Sequence, residues 1–542
     1  MAGSMSTQDQ AARDDAHLLS LGIKPELRRT LGFLANFALA FSFISVSTGS
    51  FGNFGVGIGL GGPMMFWTWL IIVAGQTIVA LGFAELASHY PVAGSIYQWS
   101  KRLSNRTLGW FTGWFYFWAQ VVTVTAVACI VAFVIDGLMG QEGFLDSPSL
   151  LPSVNMFTFI ALATLVLTTI INSAGVRLVA TLNNIGVATE ILGMVVFALI
   201  LLFFANHQSP AVLFDDAGAQ DANNGSFLAT FALGFFMSIF ILYGFDTAGT
   251  FGEETVDPGR HAPRGVLSSV WISGIVGVVF LLAIILSLKS IPDTMDEGLK
   301  GGFPIATTIT ENLTATIAGG LTVGKLYLVV ILVSVFVCTL AIQGAATRMM
   351  FSMSRDRHLP LGAIWGRVNK TFRTPANAAV GVGVLAAIPI LLVGPIGGIT
   401  LSIAATGLIY LSYFLCNLGV AFARARGWPR TRAWFNLGRW GMPINILALI
   451  WGGVMIVNIG LWASPQLFGD FGGDGRAYWN PLINGLFTVG GQKLDQLPPW
   501  PLFETLVGIL LVTGAIYYAV AIRGSARDVE GTAETAPDAV IG

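Results

Sequence analysis

Charge is what this chain has least of. Charged residues make up 11% of its 542 positions, against about 25% in ordinary soluble proteins. A soluble fold cannot clothe its surface with so few. That excludes an ordinary cytosolic enzyme and a disordered chain. The two signs nearly cancel, with 28 Lys and Arg against 29 Asp and Glu, so no basic field draws nucleic acid. Cysteine is also scarce: Cys129, Cys338 and Cys416 sit far apart inside apolar runs. They offer no disulfide framework and no CxxC metal signature. The five histidines (His17, His89, His207, His261, His358) are scattered without ligand spacing. With no nucleophile–base pair and no metal cluster, the sequence is not that of an enzyme, and it implies no cofactor.

What the chain has is hydrophobic length, with 54% hydrophobic residues. Twelve apolar runs are each long enough to cross a bilayer, which takes about 20 residues. They cover 31–59, 64–88, 107–137, 155–173, 179–205, 227–253, 265–288, 325–350, 377–395, 400–423, 442–463 and 501–522. The runs are continuous and lack period-2 alternation, so they read as helices rather than barrel strands. The polar, partly acidic start of the chain is no cleavable signal peptide. If both termini lie on one side, only Lys289, Lys300, Lys325, Arg476 and Lys493 fall on the other. That bias places both termini in the cytoplasm. The expectation is an all-α polytopic protein of the plasma (inner) membrane with 12 transmembrane helices.

Two runs are interrupted by small polar residues. Run one holds Ser45-Val46-Ser47-Thr48-Gly49-Ser50-Phe51-Gly52 and run six holds Gly244-Phe245-Asp246-Thr247-Ala248-Gly249-Thr250-Phe251-Gly252. Ser47–Gly52 lies over Thr247–Gly252, five spans apart. Five is odd, so the copies enter the membrane from opposite sides. Such paired interruptions point to a transporter binding site. Unwound backbone at membrane depth is tolerated only where it lines a cavity or meets a ligand, and half-helix N-termini suit a carboxylate. Backbone N–H groups near Ser47, Thr48, Gly49 and Ser50 are the candidate carboxylate site, and carbonyls near Tyr243, Gly244 and Phe245, with Asp246, the candidate amino-group site. Ser45 and Thr247 are further candidate substrate contacts, and Phe240, Tyr243, Phe245 and Phe336 are candidates for an apolar lining. Close helix packing through small residues is the competing reading.

Three acids sit inside runs: Glu85, Glu190 and Asp246. A lone charge there costs about 2.5–3.5 kcal/mol on insertion scales, so each needs a partner, a proton or a function. Glu190, with no base within a turn, suits a proton carrier, and Asp246 is a second candidate. A structural cap is the plainer role for Asp246. Glu85, near His89 and Lys101, reads as an inner-gate contact. Glu253, Glu254 and the arginines that follow read as a solvated ion network. Ser334 and Thr339 are weak candidates for sodium ligands, with helix-packing hydroxyls as the alternative. The glycine pattern at Gly57, Gly59 and Gly62 follows no strand, so it is no dinucleotide site. At Gly319–Lys325, Leu326 replaces the magnesium-binding hydroxyl of a phosphate loop.

Three motifs then suggest a family. Glu85–Tyr97 (ELASHYPVAGSIY) resembles the signature at the end of the second helix of the amino acid–polyamine–organocation superfamily. Gly244–Ala248 with Glu253-Glu254-Thr255 and Pro258 resembles its sixth-helix motif. Ala346–Asp356 with Leu359-Pro360 resembles the loop after its eighth helix, and Arg348 within it is a further gate or structural candidate. The likeness spans about residues 22–525 and looks closest to the amino acid/choline transporter branch. It implies a leucine-transporter-type, five-plus-five inverted repeat, with broken helices 1 and 6 holding a substrate. The parts would be a cytoplasmic segment 1–30, a first repeat 31–205, a second repeat 227–423, two further helices in 442–522 and a cytoplasmic tail 523–542. It also implies secondary transport of a small amino acid or related amine by alternating access. A choline- or polyamine-type organocation carrier and a transporter-fold nutrient sensor are the alternatives. In related proton-coupled members a fifth-helix lysine replaces a sodium ion. Here that neighbourhood holds Glu190, so a carboxylate proton site is expected instead, with sodium open. The partners implied are the small-molecule substrate and the lipid bilayer.

Overall fold

A computed structural model describes residues 7–141, 143–151, 154–222, 225–318, 321–463, 488–489, 492–493 and 502–523. The tail expected at 523–542, beyond Arg523, lies outside them, as do Gly319 and Arg476. Among the described residues ten helices are long and apolar enough to cross a membrane. Phe227–Ile241 and Ala376–Leu392 are shorter apolar helices.

The chain opens with α1 (Thr7–Ser20), an amphipathic helix outside the spans. The first run divides into α2 (Phe33–Ile44) and α3 (Val46–Gly61). Then come α4 (Phe66–His89), the short α5 (Ser95–Leu103), α6 (Arg106–Met139), α7 (Met156–Ser173) and α8 (Val176–Phe204). Side chains start several of these. The Asn105 amide oxygen accepts from Leu108 N and that of Asn155 from Thr158 N, at 2.9 and 3.0 Å, which satisfies amides left open at a helix start.

The sixth run divides more widely. Helix α9 (Phe227–Ile241) stops, Leu242–Asp246 is irregular, and one helical turn, Thr247–Thr250, resumes. Helix α10 (Pro258–Leu286) follows, then α11 (Ile291–Leu299) and α12 (Pro304–Asn312) on the face away from the termini. The long α13 (Val323–Arg355) comes next.

Helix α14 runs unbroken over 50 residues, Ala376–Ala425, where the sequence suggests two spans separated near 396–399. Its two halves still cross separately: Thr125 Oγ1 donates to Ala386 O at 2.9 Å while Val122 and Ala126 of the same α6 turn pack on Leu401 and Ala405, so the chain doubles back within the helical stretch. In lipid, helical backbone is the way to satisfy every N–H and C=O through a short link. Helices α15 (Gly441–Val457) and α16 (Leu502–Tyr517) complete the described bundle.

The core is aromatic: Trp69, Trp99, Trp110, Tyr97, Tyr116 and Tyr243 are all essentially unexposed. Glycine brings α3 against its neighbours. A Cβ on Gly61 would lie 2.6 Å from the Gly234 backbone, and one on Gly298 2.2 Å from the Gly55 carbonyl oxygen. Phe303, between α11 and α12, stacks on Phe51 and lies against Phe133 at centroid distances of 5.3 and 4.4 Å. At the terminal face, Thr30 and Leu31 donate to the Glu254 carbonyl, both at 2.9 Å. Asp14 of α1 accepts from Asp257 N at 2.9 Å.

Candidate functional site

Helix 1 breaks at one residue. Ser45 has φ 34°, in the left-handed region, and closes α2 through a 2.8 Å bond to Phe41 O. Its hydroxyl caps α3 by accepting from Thr48 N at 3.4 Å. The sequence suggested a wider interruption, Ser45 to Gly52. The structure instead keeps Ser47, Thr48, Gly49 and Ser50 in the first turns of α3, because a serine cap satisfies the helix start without further unwinding. Gly49 is there for proximity: a Cβ would fall 2.3 Å from Ile241 Cγ1.

Glu190 reaches this break from α8. One carboxylate oxygen, Oε1, accepts from Ser47 N at 3.1 Å, Ser47 Oγ at 2.9 Å and Ser45 Oγ at 2.9 Å. Glu190 is fully buried and Oε2 has no hydrogen-bond partner. A carboxylate therefore does sit at the start of a half-helix, where the dipole favours it, but it is the protein's own. The Ser47 and Thr48 amides singled out for a substrate carboxylate both have internal partners.

The second break centres on Asp246. Tyr116 donates to both carboxylate oxygens at 2.7 Å, Tyr413 to Oδ1 at 2.6 Å and Ser95 to Oδ2 at 2.7 Å. Gly244 N in turn donates to the Tyr413 hydroxyl oxygen at 2.9 Å. Gly244 has φ 86°, and a Cβ there would fall 1.9 Å from Phe43 Cδ1, so glycine is required twice over. Asp246 is not a side-chain cap for the next turn. Its acceptors are filled by hydroxyls carried on α5, α6 and α14. The tyrosines were missed in the sequence; a phenol in the middle of an apolar run was the available signal, since a buried Tyr O–H needs a partner.

Aromatic rings pack against one another around the breaks. Tyr243 is met edge-on by Phe43 and by Phe240, at 6.1 and 5.7 Å. Phe245 lies 5.4 Å from Tyr413. Phe336, on α13, is half-buried. Thr247 is fully buried beside Asp246. Ser334 and Thr339 each donate to the carbonyl one turn back, Val330 O at 3.0 Å and Val335 O at 2.8 Å, which is the bonding of helix-packing hydroxyls.

The ion network departs from expectation. Glu254 and Arg348 form a two-pronged pair at 2.8 and 3.0 Å with neither side chain exposed, and Arg348 lies over the Phe251 ring. Glu253 is also buried; it accepts from Ala93 N and pairs with Arg355. The network is thus packed, not solvated, because the family of helix ends closes over it. Arg260 and Arg264, expected to join it, instead lie over the Trp434 ring. Glu85 pairs with Arg424 and accepts from Leu437 N, not from Lys101. Lys101 goes to Asp356 at 2.9 Å. Burial alone would lift the Asp356 carboxyl, but Lys101 and Arg355 outweigh it and hold the group below the usual carboxylate range. Among the described residues no group of His, Cys, Asp and Glu is arranged to hold a metal.

Residues 31–471 match the model of a family described as amino acid permease. The chain belongs to the amino acid permease family. It is 31% identical to "Amino-acid permease BAT1 homolog" of Oryza sativa subsp. japonica, over 90% of this chain and 93% of that one. It is 28% identical to "Amino-acid permease BAT1" of Arabidopsis thaliana, over 83% and 88%. It is 25% identical to a "Putative polyamine transporter" of Candida albicans, over 82% and 80%. None of these three names a choline carrier. Among solved structures, "MhsT in complex with L-phenylalanine" matches with a TM-score of 0.53 at 12% identity, over 81% of this permease and 99% of that chain. At that identity the likeness shows the fold, which is the leucine-transporter type that the family resemblance implied. The permease is an integral membrane protein and a transporter of amino acids or amines, not an enzyme.

Proposed function

We propose that this permease is a secondary active transporter that moves a small amino acid or related amine by alternating access and is driven by protons through Glu190. Both breaks would belong to inverted repeats, 31–205 and 227–423, with both termini in the cytoplasm of a plasma-membrane protein. The observation that carries the reading is the three-fold acceptance by Glu190 Oε1 at Ser45 and Ser47. A charged Glu190 holds the start of α3 against α8 and occupies Ser47 N–H. Protonation removes the negative charge that the helix start attracts and frees that amide. A substrate carboxylate then takes it. Proton and substrate binding are therefore linked, each favouring the other, which is what symport requires.

The amino group would lie toward the carbonyls of the Tyr243–Phe245 turn, with Asp246 and its hydroxyl cage behind it. A polyamine-type organocation is the second reading, favoured by two buried carboxylates, Glu190 at the first break and Asp246 at the second.

Uptake of labelled amino acids and polyamines into proteoliposomes tests this. An inside-alkaline pH gradient drives accumulation without sodium on this account. Accumulation that needs sodium and ignores pH contradicts it, and ligand binding without uptake assigns the chain to the sensors.

A further inference from the structure

At the terminal face, away from both breaks, the start of α6, the end of α14 and α16 do not close on one another. A cleft of about 440 Å³ lies between them, walled by Phe111, Phe115, Leu415, Leu418, Phe422 and Leu511. A second space of about 350 Å³ adjoins it, sharing Asn105 and Phe422 and adding Ser104 and Arg426. The chemistry changes along the path. From Leu415 to Arg426 is eleven residues of one helix, roughly 16 Å. That equals about half of a ~30 Å hydrocarbon core. The groove is one leaflet deep, apolar along its depth, with hydroxyl, amide and guanidinium groups at its surface end.

Arg426 is held for this position. Its Nε and Nη2 donate to two backbone carbonyls, Phe422 O at 3.3 Å and Leu103 O at 3.1 Å. It pairs with no carboxylate among the described residues, whereas neighbouring Lys101 and Arg424 are matched by Asp356 and Glu85. A cation without a counter-ion at the rim of an apolar groove calls for a molecule with an anionic head and a hydrocarbon tail.

We propose that this groove binds an anionic phospholipid from the leaflet on the terminal side. One acyl chain lies along Phe111, Leu415 and Leu511, and the phosphate meets Arg426 beside Ser104 and Asn105. A zwitterionic lipid carries no net charge for Arg426, and a free phosphate leaves the apolar walls uncovered. The bound lipid bridges α6 and α14, which carry Tyr116 and Tyr413 of the Asp246 cage, so its occupancy stiffens the helices around the second break.

Detergent-purified, delipidated permease is titrated with phosphatidylglycerol, phosphatidylcholine or inorganic phosphate, and its melting point is followed, since a ligand of the folded state raises it. Phosphatidylglycerol gives the larger shift. Arg426→Gln weakens its apparent affinity about fivefold, and Leu415→Trp, which fills the groove, abolishes the preference. A phosphatidylglycerol with a photoreactive acyl chain labels wild-type peptides containing Phe111 or Leu418, a readout independent of any variant's folding. Equal shifts with phosphatidylcholine, a shift reproduced by phosphate alone, a preference intact in Arg426→Gln, or labelling confined to other helices overturns the proposal.

Discussion

Glu190 Oε1 accepts a hydrogen bond from the backbone N–H of Ser47 at 3.1 Å, across 143 residues of sequence. A side chain on α8 thereby terminates the break in helix 1, and the start of α3 is pinned for as long as that oxygen stays an acceptor.

The buried pair Arg348–Glu254 is the most exacting contact at the terminal face. Removing one partner strands a charge in a dry setting, which costs about 3–5 kcal/mol. Arg348→Met is therefore expected to lower the melting point sharply. The double variant Arg348→Met, Glu254→Leu recovers most of the loss, because no charge remains unpaired. Melting curves of the three proteins in one detergent check this.

Tyr413→Phe takes two bonds at once: the donor to Asp246 Oδ1 and the acceptor for Gly244 N–H. A buried polar group left unsatisfied costs about 1–3 kcal/mol. The variant is expected to melt lower and to bind substrate more weakly, while Tyr410→Phe, whose partner is Gln76, leaves binding as it was. Binding isotherms for both variants provide the comparison.

How much of this was legible beforehand follows from distance along the chain. The spans and the two interruptions were readable, because hydropathy and runs of Gly, Ser and Thr are local. Glu190 and Asp246 were readable as exceptions, since an acid in an apolar run stands out. Their partners were not. Ser45 and Ser47 are about 145 residues from Glu190, Tyr413 is 167 from Asp246, and Arg424 is 339 from Glu85. No local pattern encodes such pairings; helix packing decides them. Glu253 and Glu254 look solvated in sequence because they follow the end of a run, yet arginines from α13 fold over them.

Gly49→Leu is expected to abolish substrate binding. Its Cβ alone falls 2.3 Å from Ile241 Cγ1, and the backbones of helices 1 and 6 must part at the place where the two breaks meet. Labelled-substrate binding to purified protein tests this; unchanged binding removes the site assignment.

Helix α1 is expected to loosen in acid. Burial holds the His17 imidazole below its usual range; the backbone oxygen of His89 and the Asp14 charge oppose that, and Arg102 adds to it. Docking therefore favours neutral His17. Above about pH 6.5 both docked and free forms are neutral and docking carries no penalty; below it the free form takes the proton first. Burial raises the Asp14 carboxyl, so its stabilising contribution is present in acid and lost as pH rises. Arg29 pairs with Asp15 across the same segment. The protection of the amides in residues 9–20, meaning their exchange relative to the intrinsic rate at each pH, is expected to fall from about pH 7.5 to about 5.5, and His17→Gln flattens that dependence.

The central claim is that a proton on Glu190 and a carboxylate-bearing substrate act together at one helix start. The direct measurement is substrate dissociation constant against pH, in wild type and in Glu190→Gln. The account predicts that wild-type affinity tightens as pH falls, and that the variant binds with the affinity of acid wild type at every pH. A wild-type affinity indifferent to pH, or a variant that keeps the wild-type slope, contradicts it.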